Sequence, residues 1–227
     1  MNHLYPEMRV LPPSVVLPAQ ELRRNAATWG VAALQMPAIG SVMHDLAPNE
    51  IYDPRFLGQD LSTYYFDTPG RDLTRARRKG NRYLTLRLRH YQPCDGSPDA
   101  WSLSAKTENG KWRIPLDEDS ARAIQQNLLP AWPRIWLPGD LLARLQELAP
   151  DPDSLVVCIR ICCRRYAVED AINRYTLDVG LQTDLGRMMS HGVLEFKSNA
   201  DQPMVPMMVT RLQLRPIRLS KFKWATW

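Results

Sequence analysis

Eight basic side chains recur at alternate positions in short apolar segments, and they are the residues whose type and spacing could do chemistry. Arg87 and Arg89 alternate with leucines in Leu84-Thr85-Leu86-Arg87-Leu88-Arg89-His90-Tyr91. Lys106 ends the polar face of Trp101-Ser102-Leu103-Ser104-Ala105-Lys106, and Lys111 and Arg113 share a face of the next segment. Arg165 shares a face with Ile161 and Cys163, Arg174 with Thr176 and Asp178, and Lys197 with Glu195. Strand side chains point alternately to opposite faces, so each segment has one cationic face and one apolar face. Against these cations the same faces carry only Asp178 and Glu195. A solvated sheet face usually mixes signs, because like charges on neighbouring strands repel. A face this one-sided suits a polyanion, and phosphate chains fit best: Arg offers planar bidentate donors and Lys a compact point charge. Glu195 amid the cations is either a ligand for Mg2+ or Mn2+, which take oxygen ligands and bridge phosphate oxygens, or a structural salt bridge. Asp178 is either a second metal ligand or the partner that fixes Arg174.

The elements that must position these residues follow from the pattern. Strands are expected over Leu61–Thr68, Leu84–Tyr91, Trp101–Thr107, Lys111–Leu116, Ser154–Val168, Asn173–Gly180 and Gly192–Lys197, with a hairpin at Asn109-Gly110. Leu22, Ala26, Trp29 and Ala33 recur at helical spacing, so Pro18 to Met36 is expected to be a helix that Pro37 stops. A short strand is expected around Glu7-Met8-Arg9-Val10. Helices are expected at Asp117–Leu129, from Gly139 to before Pro150, and at Pro203–Leu214. The basic run Arg71, Arg75, Arg77, Arg78, Lys79 and Arg82 reads as a solvated turn. If helices cover the apolar faces, the sheet curls and its charged faces line a channel. Closing that sheet would also remove exposed edges.

Composition narrows the class. The 227 residues are 44% hydrophobic and 23% charged, with net charge +5, as in an ordinary globular chain with an anionic partner. No repeat or linker interrupts it, so residues 1–227 read as a single α+β domain. Cys94, Cys158, Cys162 and Cys163 lack disulfide or zinc spacing and fit reduced thiols in a cytoplasm. His3, His44, His90 and His191 lack ligand spacing, and His90 lies on the leucine face of its strand. The tail Lys221-Phe222-Lys223-Trp224 is basic and aromatic, but no helix-turn-helix or RNP pattern appears, so nucleic acid is not expected as a partner.

The segments Tyr65-Phe66-Asp67-Thr68, Leu86-Arg87-Leu88-Arg89, Lys106, Arg165, Arg174-Tyr175-Thr176-Leu177-Asp178, Leu194-Glu195-Phe196-Lys197 and Ser220-Lys221-Phe222, in that order, resemble the VTC domain. This is the polyphosphate polymerase branch of the triphosphate tunnel metalloenzymes, related to CYTH phosphohydrolases. The resemblance implies an antiparallel β-barrel tunnel with helices packed outside. It implies an enzyme that moves the γ-phosphate of ATP onto a growing polyphosphate chain with Mn2+ or Mg2+. Carried over by position, Arg87, Arg89, Lys106, Arg165 and Arg174 are the catalytic cations. Lys111, Lys197, Lys221 and Arg9 bind substrate, and Glu195 and Glu7 hold metal; Glu7-Met8-Arg9 is the nearest match to the first-strand motif. A membrane-protein partner for polymer export is a further expectation. The same tunnel would serve a tripolyphosphatase, or a non-catalytic polyphosphate-binding module.

Overall fold

The computed structural model describes residues 25–32, 35, 58–79, 83–169, 173–198 and 207–226. Its centre is one antiparallel sheet. The strands are β1 (Asn25–Val31), β2 (Gln59–Asp67), β3 (Thr85–Pro93), β4 (Ala100–Thr107), β5 (Gly110–Leu116), β6 (Val156–Glu169), β7 (Asn173–Thr183), β8 (Gly192–Ser198) and β9 (Arg215–Pro216). They are ordered β5-β4-β3-β2-β6-β7-β8-β1-β9. The expected strand at Glu7-Met8-Arg9 lies outside the described residues.

The expected helix through Trp29 is not what forms. Residues 25–31 are β1, paired with β8 on one side and β9 on the other. Trp29 and Val31 are buried on one face, and Thr28 faces the opposite way. Thr28, Gly30 and Val31 are poor helix formers, and ladders on both sides override the weak helical spacing.

The expected closed barrel is also corrected to an open, curled sheet. No ladder joins β5 to β9 among the described residues. Both edge strands contain a proline, Pro115 and Pro216, which has no N–H to donate to a further strand. Bulges at Tyr65/Phe66 and near Gly180 add the bend; Gly180 has φ 63°, which glycine adopts without strain.

Most helices lie on the convex side, as expected. Helices α2 (Glu118–Gln125), α3 (Trp132–Trp136) and α4 (Gly139–Leu148) pack Ile124, Trp132, Leu141 and Leu145 onto Leu86, Leu88 and Leu103. Asp117 caps α2, accepting from the Ser120 N–H at 2.7 Å. His90 is buried on this side, stacked on Trp101 with ring centroids 3.9 Å apart. A second apolar cluster joins Trp29, Leu177, Leu194 and Phe196 to Val209 and Leu214, around the short helix α5 (Met207–Arg211); residues 203–206 of the helix expected over Pro203–Leu214 lie outside the described residues.

Two helices depart from expectation. The basic run after Pro69-Gly70 forms α1 (Asp72–Lys79) rather than a turn. Buried Asp67 organises it, accepting from the backbone N–H of Thr68, Leu73 and Thr74 and from the Thr74 hydroxyl at 2.6–3.1 Å. Helix α6 (Lys221–Thr226) lies on the concave side, where Phe222 packs on Tyr65 with centroids 4.9 Å apart. None of these helices is long and apolar enough to cross a membrane.

Candidate anion-binding cavity

The concave face of the sheet encloses a cavity of about 380 Å³. On β3, Leu86 and Leu88 are fully buried on the convex side, which forces Arg87 and Arg89 inward. Their cross-strand neighbours are uncharged: Arg87 lies between Tyr65 and Ser104, and Arg89 between Thr63 and Ser102. On β4 and β5, Lys106, Lys111 and Arg113 face the same space. On β6, β7 and β8 it receives Arg165, Arg174, Glu195 and Lys197. Lys221 enters from α6 and Arg77 from α1. Among the described residues, ten cationic side chains and one carboxylate, Glu195, therefore line a single cavity.

Every cation that the alternation places inward is brought there. The structure adds Arg77, which sequence reading gave to a solvated turn. Its guanidinium donates to the Thr85 hydroxyl at 2.8 Å and lies 4.9 Å over the Tyr83 ring. Asp67 was the available signal, an acid that caps the helix carrying Arg77. Glu7 and Arg9 lie outside the described residues.

The electrostatics are those of crowded positive charge. Lys106 sits directly opposite Lys111, and Arg174 opposite Lys197, so two like-charged cross-strand pairs face the cavity. The Nε groups of Arg87 and Arg89 and the hydroxyls of Ser102 and Ser104 are buried without a hydrogen-bond partner among the described residues. Leaving such groups unmet costs about 1–3 kcal/mol each. Burial, and then Arg89, bring the Arg87 pKa down to about 10. Burial and the neighbouring Arg87, Arg77 and Lys197 lower Lys106. Lys221 is pushed well below the usual lysine range by burial and then by Arg165. These shifts have one origin: positive charge has been gathered where water is scarce.

The carboxylates divide the work. Asp178 accepts both Arg165 nitrogens at 2.6 and 2.8 Å and also meets Lys221. Sequence reading favoured Asp178 as the partner of Arg174; the structure gives it to Arg165, directly opposite across the β6–β7 ladder. Glu195 lies 3.2 Å from Lys197, so the salt bridge weighed for it is present. Burial opposes its ionisation, but Lys197, Arg165 and Arg89 outweigh burial and hold it below the usual carboxylate range. Among the described residues no three acidic, histidine or cysteine side chains gather as a metal cage. One ionised carboxylate in a cationic cavity still fits Mg2+ or Mn2+ beside a polyanion, because such a cation takes its other ligands from the anion's oxygens and water.

No protein-family model matches the sequence, and no curated protein matches it either. Solved structures do match its shape. A proposed adenylate cyclase from Bacillus halodurans superposes with TM-score 0.61 at 13% identity, covering 88% of this chain and 95% of its own. One from Vibrio parahaemolyticus gives 0.51 at 16% identity, covering 87% and 95%. A proposed adenylyl cyclase from Hippeastrum, with a dominant triphosphatase activity, gives 0.54 at 12% identity, covering 87% and 92%. At this identity the likeness shows a shared fold and nothing more.

Proposed function

We propose that this protein is a phosphotransferase that binds a triphosphate in the cationic cavity and passes its terminal phosphoryl group to a polyphosphate chain, with ATP as the donor. The observation that carries the reading is the lining itself, ten cations against one carboxylate. That positive excess is larger than one metal-bearing triphosphate can neutralise, and it suits a donor and a polymeric acceptor held together.

The balance of the reaction is simple. The bond from the γ-phosphorus to the β–γ bridging oxygen breaks, a terminal oxygen of the acceptor chain bonds to that phosphorus, and ADP leaves. The acceptor oxygen is already ionised at neutral pH, so no general base is required. Arg87, Arg89, Arg165 and Arg174 hold the phosphates in line, with Lys106, Lys111, Lys197 and Lys221, and stabilise charge as it moves. Glu195 would hold Mn2+ or Mg2+, which supplies Lewis-acid neutralisation of the phosphate oxygens when bound. Polymer leaving the cavity calls for an acceptor, and a membrane-protein partner for export fits that need.

Hydrolysis is the second reading, favoured by the triphosphatase activity of the Hippeastrum protein. Water must lose a proton to attack, and Glu195, held ionised below the usual range, is a weak base for that task. The deciding experiment supplies ATP, Mn2+ and a short polyphosphate primer and separates the products. Lengthened polyphosphate with equimolar ADP supports transfer; free phosphate without longer chains selects hydrolysis, and neither product removes both readings.

A further inference from the structure

Beside the cavity opens a groove of about 800 Å³ that shares Thr28, Arg77, Leu219 and Ser220 with it. The groove has a different chemistry. Ile217, Leu219 and Trp224 give it apolar and aromatic wall, with Arg187, Arg218 and Lys223 among them. Helix α6 connects the two spaces: Lys221 enters the cavity, and Trp224, three residues later, lines the groove. Arg187, from the loop between β7 and β8, lies 5.4 Å over the Trp224 ring and donates to the Trp224 backbone carbonyl. Indole and guanidinium thus make a flat, cationic platform at the edge of the phosphate cavity.

A phosphate chain gains nothing from an apolar aromatic wall. A nucleobase does, because every base has a π-face that stacks on tryptophan or on an arginine plane. The volume also lies in the range that encloses a small organic ligand. We propose that this groove seats the nucleoside of the donor: the base stacks on the Trp224–Arg187 platform while its phosphates pass Arg77 into the cavity. The inference rests on the triphosphate reading of the cavity and adds to it a place for the donor's nucleoside.

The test compares two ligands that differ only by the nucleoside. Equilibrium binding of ATP and of inorganic tripolyphosphate to the full chain is measured at one salt and Mn2+ concentration. The proteins are wild type, Trp224→Ala, Trp224→Phe and Arg187→Ala. Loss of one stacking contact weakens ATP about tenfold in Trp224→Ala, while tripolyphosphate changes less than about twofold, and Trp224→Phe recovers most of the loss. Should Trp224→Ala fail to fold, Arg187→Ala carries the same comparison. Equal loss for both ligands would mean that the groove handles phosphate and would overturn the nucleoside seat. So would undiminished ATP binding in Arg187→Ala and Trp224→Ala alike. If wild type binds ATP no more tightly than tripolyphosphate, the seat falls while the cavity reading stands; if it binds neither, the cavity reading itself fails.

Discussion

Asp178 and Arg165 face each other across β6 and β7 as a bidentate pair, with side-chain exposures of only 1% and 7%. Lys221 closes on the same carboxylate from α6. One anion therefore meets two cations and ties the inner helix to the sheet. Asp178→Asn strands both charges, and breaking a buried pair costs about 3–5 kcal/mol. The urea midpoint should fall accordingly and recover in part when tripolyphosphate is added, because the ligand supplies the missing negative charge. An unliganded variant as stable as wild type would show that Asp178 is not their counter-charge.

Arg87 is expected to trade stability for binding. Its folded pKa of about 10, lowered from the ordinary arginine value, means that keeping it charged in the cavity costs on the order of 3 kcal/mol. The sign follows from the direction: this penalty is complete below about pH 10 and is relieved as pH rises toward the unfolded value. Arg87→Met keeps much of the buried stem and removes the charge. The empty variant should melt a few degrees higher than wild type yet bind tripolyphosphate about 10–100-fold more weakly. Calorimetry with and without ligand reads both; a variant weakened in both respects would make Arg87 structural instead.

How much of this was legible in the sequence depended on which force decided each element. Period-two alternation in Leu86-Arg87-Leu88-Arg89 and Leu194-Glu195-Phe196-Lys197 fixes which residues face inward, because one face of each strand must be covered, and these residues do line the cavity. Trp29 misled because its helical spacing to Leu22, Ala26 and Ala33 is real, and only the long-range ladders to β8 and β9 show that it belongs to a strand. Arg77 was hidden for a similar reason: its helix begins where Asp67 caps it, five residues before the first helical position. Closure of the sheet was the least legible feature, since it depends on edges that carry Pro115 and Pro216.

Tyr91 should make polyanion binding pH-dependent near neutrality. Burial opposes ionisation of its phenol, but Arg89, Arg113 and Arg165 outweigh burial and bring the pKa down to about 7, with Arg89 donating to the phenol oxygen at 3.2 Å. The folded pKa lies below the unfolded value of 10, so this stabilisation is complete above about pH 10 and is lost as pH falls toward 7. A phenolate inside the cation cluster competes with substrate, so tripolyphosphate affinity should fall as pH rises through about 7. Tyr91→Phe should remove that component, leaving the titration of the ligand itself. An ultraviolet titration checks the origin: one tyrosinate appearing near neutrality in wild type and missing in the variant.

Glu195 is expected to act in opposite directions on metal-free and metal-bound ligands. Among the described residues it is the sole carboxylate lining a cavity of cations, so by itself it repels phosphate. Only when a divalent cation lies between does it attract. Glu195→Gln keeps the shape and removes the charge. Metal-free tripolyphosphate should then bind a few-fold more tightly, while Mn2+ should bind the protein–tripolyphosphate complex at least about tenfold more weakly and cease to stimulate turnover. A merely structural Glu195, engaged only with Lys197 at 3.2 Å, predicts weaker binding of both forms after the same substitution. Titration calorimetry with and without Mn2+ separates the two, and unchanged dependence on Mn2+ would remove Glu195 from metal binding altogether.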